Sequence, residues 1–153
     1  MPISQDEPLA ALAVERLRLE DGAVLALGIA VNHVGLGEVE LLFTPSADMG
    51  NGHGVVHGGF VFTFADTAFA YAYASRGVPG VTVNATIDFL APAQVGVELI
   101  AHASEFHRDG STGIYDVRVT DSAGRVIAVF RGHGRTPRKK STSPAPRENV
   151  SAS

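Results

Sequence analysis

The sequence contains no cysteine among its 153 residues. This absence excludes a disulfide-bonded scaffold, zinc sites built on thiolates and cysteine nucleophiles. Basic residues are too few for a nucleic-acid-binding protein, because 12 lysines and arginines stand against 16 aspartates and glutamates, a net charge of −4. No apolar run reaches the ~18 residues of a membrane span, and the acidic N-terminus lacks the basic start of a signal peptide. We therefore expect a cytoplasmic protein that binds neither nucleic acid nor membrane.

The composition predicts one globular domain followed by a tail. Hydrophobic residues make up 45% of the chain and charged residues 18%, a globular profile for which this length favours a single domain. From Thr136 onward the sequence is rich in serine, proline and charge, so it cannot bury enough apolar surface to offset the entropy of ordering. We expect a folded domain over residues 1–136 and a disordered, solvated tail over residues 137–153.

The hydrophobic pattern predicts one buried helix and about six strands. Residues 58–75 contain no proline, are rich in alanine and carry apolar side chains on every side, which is typical of a helix buried all round. A shorter amphipathic helix is predicted over residues 8–20, ended by Asp21-Gly22. The strand-like segments are residues 28–34, 37–44, 81–91, 95–106, 113–121 and 125–135. This pattern predicts an α+β fold in which a curved antiparallel sheet wraps around a long central α-helix, with a short N-terminal helix.

Asp66 is the sole acidic or basic side chain between His57 and Arg76, in the middle of the predicted buried helix. Burying a carboxylate that has no partner costs roughly several kcal/mol of folding free energy. One interpretation is structural, with Asp66 satisfied by a nearby threonine, a peptide N–H or an arginine. The other is chemical, with Asp66 as a desolvated base or nucleophile.

The segment that precedes this helix places Gly58 and Gly59 at the predicted helix start. Free N–H groups at a helix N-terminus, without a Cβ in the way, form an oxyanion hole or a phosphate cradle. The segment matches neither glycine-rich nucleotide motif, so nucleotide binding has little support. His53 and His57 have the spacing of a metal pair, but no cysteine or nearby glutamate completes a ligand set, so no metal is expected.

Three motifs then resemble one known family. NGHGVVHGGF (51–60), FADTAFAYA (64–72) and TIDFLAPAQVG (86–96), extended by GIYDV (113–117) and AVFRG (128–132), are similar to the hotdog-fold acyl-CoA thioesterases. Within that family they resemble the branch named for the phenylacetate-degradation thioesterase. The similarity runs from about residue 26 to residue 135, and it implies the hotdog fold.

The resemblance implies the roles of five catalytic residues. Asp66 is then the catalytic carboxylate, and the Gly58 N–H and the Asn51 amide hold the thioester carbonyl oxygen. His57 orients their loop, and Thr82 supplies a hydroxyl that helps to position water. Whether Asp66 deprotonates water or attacks the thioester directly stays open.

The substrate's phosphates require cations, which an acidic protein supplies locally. Arg108 is the candidate cation, Ser111 and Thr112 are candidate neutral donors, and Phe89 is a candidate contact for adenine or pantetheine. Each of these residues has a purely structural alternative role, as a turn residue or, for Phe89, as a core residue. The predicted central helix also carries four aromatic residues that either line an aromatic acyl pocket or belong to the hydrophobic core: Phe62, Phe69, Tyr71 and Tyr73.

We therefore expect hydrolysis of acyl-CoA thioesters, with an aryl-acetyl-CoA such as phenylacetyl- or hydroxyphenylacetyl-CoA as substrate. No separate cofactor is expected, because coenzyme A is part of the substrate. The alternatives are a hotdog enoyl-CoA hydratase or dehydratase and a non-catalytic acyl-CoA-binding regulator. Helix arithmetic separates Gly58 from Asp66 by roughly 12 Å, too far for one thioester, which predicts a dimer with shared sites. The resemblance implies that such dimers pair into a homotetramer.

Overall fold

The computed structural model describes residues 6–138 as a six-stranded antiparallel sheet with three helices and one short 3-10 turn. The sheet order is β1-β2-β4-β5-β6-β3. The elements are α1 (Glu7–Glu20), α2 (Gly22–Leu27), β1 (Ala30–Gly35), β2 (Glu38–Phe43), α3 (Gly58–Ala74), β3 (Val81–Phe89), β4 (Leu99–Asp109), β5 (Thr112–Asp121) and β6 (Val126–Arg135). No helix in residues 6–138 is long and apolar enough to cross a membrane. The predicted tail lies, beyond Arg138, outside the described residues.

The predicted elements are present, with one addition near the N-terminus. Asp21-Gly22 ends α1 as expected, but the same pair also starts α2. The Asp21 carboxylate accepts a hydrogen bond from the N–H of Val24, which caps the new helix. A stop signal in the sequence is therefore a junction between two helices in the structure.

The central helix α3 packs against the inner face of the sheet, as predicted. Its aromatic side chains are in the core, where Phe64, Phe69 and Tyr73 are at most 2% exposed. Two glycines of β6 make room for these rings, because a Cβ at Gly132 would lie 2.7 Å from Phe69 and one at Gly134 would lie 2.7 Å from Tyr73. Close approach of helix and sheet therefore depends on missing side chains as well as on apolar ones.

The C-terminal end of α3 is fixed by a partly buried polar network. Arg76 donates two hydrogen bonds to the Glu105 carboxylate at 2.9 and 2.8 Å, and the Tyr115 hydroxyl donates a third at 2.7 Å. Ser75 accepts a hydrogen bond from the N–H of Gly37 in the β1–β2 turn. These contacts hold the helix end against both β4 and the β1–β2 turn.

Candidate active site

Asp66 lies half-buried in the middle of α3, and its nearest hydrogen-bonding group is on the edge strand β3. The Thr82 hydroxyl donates to Asp66 Oδ1 across 3.4 Å. Among residues 6–138, no lysine or arginine forms an ion pair with this carboxylate. Burial raises the pKa of Asp66, and the Thr82 hydrogen bond partly opposes that rise. Thr82, which the resemblance gives as the hydroxyl that helps to position water, therefore lies beside this carboxylate.

The loop before α3 is organised by Asn51 and His57. Asn51 Oδ1 accepts hydrogen bonds from the N–H groups of His53 at 2.9 Å and Val55 at 3.4 Å. Because the amide oxygen faces its own loop, the Asn51 Nδ2 group remains available as a donor. His57 caps α3 through Nδ1, which accepts the N–H of Gly59 at 2.9 Å.

Gly58 is the first residue of α3, and its N–H has no acceptor within residues 6–138. The ring of Phe89 covers this glycine so closely that a Cβ at position 58 would lie 3.2 Å from the ring. Phe89 itself is 53% exposed. A free N–H at the positive end of a 17-residue helix, beside an exposed aromatic ring, suits a carbonyl oxygen carried by an apolar ligand.

Arg108, Ser111 and Thr112 lie at the β4–β5 hairpin, near the C-terminal end of α3. The Arg108 guanidinium stacks 4.7 Å above the Tyr73 ring and donates to the Tyr115 hydroxyl at 3.2 Å. Ser111 and Thr112 are exposed, and the Ser111 carbonyl accepts a hydrogen bond from the Tyr73 hydroxyl at 2.8 Å.

The predicted site residues therefore form two groups within one chain. Asp66 and Thr82 form one group, and the hairpin lies level with Thr82 but two strands away, because Thr82 pairs with Gly134 and Gly134 pairs with Gly113. The other group, at the N-terminal end of α3, contains Asn51, His57, Gly58 and Phe89.

The two groups are far apart within one chain. Phe89 is eight residues along β3 from Val81, or roughly 26 Å at the rise of a strand. The unbroken helix keeps Gly58 and Asp66 roughly 12 Å apart along its axis. One chain therefore does not bring its predicted oxyanion donors to its own Asp66 carboxylate.

The aromatic residues considered for an acyl pocket are mostly core. Phe69, Tyr71 and Tyr73 are at most 2% exposed, and Phe62 packs edge-on against Phe130 with ring centroids 5.5 Å apart. No cluster of three or more histidines, aspartates or glutamates within residues 6–138 has the geometry of a metal site. The close packing of Phe89 on Gly58 was not predicted, and their separation in the sequence leaves no local signal for it.

Comparisons with known proteins identify the family of this chain. Residues 53–128 match the thioesterase superfamily. Over 112 residues the chain is 41% identical to acyl-coenzyme A thioesterase PaaI of Escherichia coli, covering 73% of this chain and 80% of that protein. The solved structure of the Escherichia coli PaaI protein matches with a TM-score of 0.85 and 36% identity, over 86% of this chain and 96% of that one. The TT0310 protein of Thermus thermophilus matches with a TM-score of 0.74 and 35% identity, over 77% and 99%. These matches confirm the resemblance and the curved-sheet fold predicted from the sequence.

Proposed function

Because this chain belongs to the thioesterase superfamily and is an acyl-CoA thioesterase with the hotdog fold, we propose that it hydrolyses aryl-acetyl-CoA thioesters in active sites shared between two copies. The observation that carries the proposal is the half-buried Asp66 carboxylate, which has a raised pKa and no cationic partner within residues 6–138. The Escherichia coli PaaI protein comes from a phenylacetic acid degradation operon, which supports phenylacetyl- or hydroxyphenylacetyl-CoA as the substrate.

The edge strand β3 supports the shared site. On one side it pairs with β6, and on its other side no strand within residues 6–138 pairs with it. Its Val81 and Val83 are each 51% exposed, and Leu90 just beyond it is 60% exposed. Exposed apolar edges are normally covered, and a second copy paired antiparallel along β3 covers this one by two-fold symmetry. Pairing of two such dimers into a tetramer stays a prediction.

The two-fold arrangement brings the two half-sites together. Antiparallel pairing of β3 sets the N-terminal end of one α3 opposite the middle of the partner helix. The Gly58 N–H and the Asn51 amide of one copy then face Asp66 and Thr82 of the other. Both donors act on the carbonyl oxygen, where negative charge develops in the transition state, and one such donor typically contributes about 2.7–4 kcal/mol.

Two routes of hydrolysis use these groups. In the first, Asp66 takes a proton from water while the water oxygen attacks the carbonyl carbon, and the tetrahedral intermediate expels the CoA thiolate, which is then protonated. In the second, an Asp66 oxygen attacks the carbonyl carbon and the thiolate leaves, giving a mixed anhydride that water hydrolyses. The thiolate is a good leaving group, so neither route requires a strong general acid.

Coenzyme A binding is assigned to Phe89 and to polar groups of the β4–β5 hairpin. Ser111 and Thr112 are exposed donors at the hairpin. Arg108 is held by Tyr73, Tyr115 and, at 4.0 Å, the Glu105 carboxylate, with 19% of its side chain exposed. A fixed guanidinium loses little entropy when it contacts a phosphate. Phe89, beside Gly58, is proposed to contact the pantetheine arm of the substrate held by that oxyanion hole.

The test is release of free thiol from a panel containing acetyl-, phenylacetyl-, hydroxyphenylacetyl- and crotonyl-CoA. We expect the two aryl-acetyl thioesters to have the highest kcat/KM. Loss of the enoyl absorbance of crotonyl-CoA without thiol release would instead indicate a hydratase. Tight binding of the thioesters without turnover would indicate a non-catalytic regulator.

A further inference from the structure

The chain that follows β3 is held against β6 beyond the end of the strand. The carbonyl of Ile127 in β6 accepts hydrogen bonds from the N–H groups of Leu90 at 2.8 Å and Ala91 at 3.2 Å. The next residue is Pro92, which has no N–H and cannot continue this pairing. The Arg125 side chain supplies a donor at this point, because its Nη2 donates to the Pro92 carbonyl at 2.9 Å.

Arg125 is itself held by Asp121, across the tight turn between β5 and β6. The Asp121 carboxylate lies 3.4 Å from Arg125 Nε, and it also accepts the backbone N–H groups of Ala123 at 3.1 Å and Arg125 at 2.9 Å. These contacts to one carboxylate fix both the backbone and the side chain of Arg125. The guanidinium therefore loses little entropy in its bond to Pro92, although about half of the Arg125 side chain is exposed.

The segment beyond β3 also contacts the loop that carries the oxyanion donors. The carbonyl of Ala93 accepts the N–H of Val56 at 2.9 Å, and both residues are buried. Val56 is two residues before Gly58, and the N–H of Asn51 donates to the carbonyl of Val55 at 2.7 Å. The Ala93–Val56 hydrogen bond therefore joins residues 90–93 to the loop of residues 51–58.

A cavity of about 310 Å³ adjoins this contact. Its lining includes Val56 and Gly58 from the loop and Pro92 and Ala93 from the segment beyond β3. A displacement of residues 90–93 therefore changes both the shape of this cavity and the support of the Gly58 N–H. Catalysis is sensitive to such displacements, since a misplacement of about 1 Å can lower a rate by about 100-fold.

We propose that Arg125 is a positioning residue for the oxyanion hole. It fixes the Pro92 carbonyl, and the hydrogen bond between Ala93 and Val56 transmits this constraint to the two oxyanion donors. The proposal rests on the proposed thioesterase function, in which those donors hold the thioester carbonyl oxygen. An oxyanion hole acts mainly in the transition state, so a displaced hole lowers kcat more than it changes KM.

Amide hydrogen exchange tests this chain of contacts without any reaction. Arg125→Ala removes the donor to Pro92, so exchange of the Val56 N–H, measured by NMR, should become about tenfold faster. Arg118→Ala, which removes an exposed arginine from β5, is the matched control and should leave that exchange unchanged. The N–H of Ala101, in the middle of the sheet, should keep its rate in both variants.

Hydrolysis provides the second measurement. Arg125→Ala should lower kcat for phenylacetyl-CoA by about three- to tenfold and change KM by less than about twofold. In an Asn51→Ala background the further loss should shrink below about twofold, because one of the positioned donors is already absent. In a Thr82→Val background the full loss should remain, since Thr82 belongs to the other half-site. A merely structural role for Arg125 would give equal losses in the two backgrounds.

The results separate the positioning role from the chemistry. Wild-type exchange of the Val56 N–H in Arg125→Ala overturns the proposal, as do equal losses of kcat in the Asn51→Ala and Thr82→Val backgrounds. If Arg125→Ala does not fold, Arg125→Lys carries both measurements, because it keeps the charge but has one donor group for two acceptors. A wild type that hydrolyses no thioester overturns the proposed function, and exchange of the Val56 N–H then decides whether Arg125 holds the loop.

Discussion

Thr82 Oγ1 lies 3.4 Å from Asp66 Oδ1, and this contact joins the exposed edge strand to the middle of the buried helix. Two opposing effects act on the carboxylate at this point. Burial raises the pKa of Asp66, and the hydroxyl hydrogen bond lowers it. The balance keeps a desolvated carboxylate ionisable next to an open edge, which is what a base or nucleophile requires.

Replacing Asp66 by asparagine separates its chemical role from its structural one. Asp66→Asn should lower kcat by at least about 100-fold, because it removes both basicity and nucleophilicity. Since the raised pKa makes the ionised form unfavourable to folding, the contribution of Asp66 to stability is lost as pH rises through its folded pKa. Asparagine does not ionise, so the thermal midpoint at pH 7 should not fall. Asp88→Asn, at an exposed position on β3, is the matched control and should keep wild-type activity. Turnover above about a tenth of the wild-type value in Asp66→Asn would exclude a catalytic role for Asp66.

Removing the Thr82 hydroxyl should shift the pH dependence of the reaction. Thr82→Val removes the hydrogen bond that lowers the pKa of Asp66, so the acid limb of the kcat/KM profile should move to higher pH. Thr82→Ser should restore the profile, and Thr86→Val, at an exposed position on the same strand, should leave it unchanged. An unaltered acid limb in Thr82→Val would show that the 3.4 Å contact does not influence the carboxylate.

The Arg76–Glu105 pair should stabilise the protein in a pH-dependent way. Burial acts to raise the pKa of Glu105, but hydrogen bonds from Arg76 and Tyr115 outweigh it and hold that pKa below its usual value. The pair therefore stabilises the fold above the unfolded pKa, and this stabilisation is lost as pH falls through the folded pKa. Glu105→Gln should lower the free energy of unfolding by about 1–3 kcal/mol at pH 7 and by less at acid pH, measured by urea denaturation. Glu15→Gln, in an exposed pair, is the control that should show no measurable change.

Adding a methyl group to β6 should disturb the contact between sheet and helix. A Cβ at Gly132 would lie 2.7 Å from the Phe69 ring, so Gly132→Ala should cost about 1–3 kcal/mol through overpacking. Gly22→Ala is the control, since a Cβ there has no atom within 4 Å and alanine favours the helix. Equal thermal midpoints for the two variants would mean that the ring moves aside freely.

The sequence predicts those features that local patterns encode. The apolar side chains on every side of residues 58–75 predict α3. Asp66, the one acidic or basic residue in that segment, is the candidate catalytic carboxylate. The start of α2 was not predicted, because Asp21-Gly22 is a stop signal and a capping signal at once. The stacking of Arg108 on Tyr73 also carries no local signal, since residues 35 positions apart meet only after the sheet closes around the helix.

The shared site predicts that two inactive variants restore activity when mixed. One copy carries Asp66→Asn, and the other carries Asn51→Ala with Gly58→Pro. The second pair of substitutions removes both oxyanion donors, and proline is tolerated at the first position of a helix. In a mixed dimer, one site then has every wild-type group and the other lacks both sets. Activity should recover to about half of wild type per mixed dimer, because an isologous pair contains two equivalent sites. Co-expression with two affinity tags isolates the mixed species, and an Asp66→Asn/Asp66→Ala pair is the control that should stay inactive. If isolated mixed dimers release no thiol, Asp66 and Gly58 do not act across the interface.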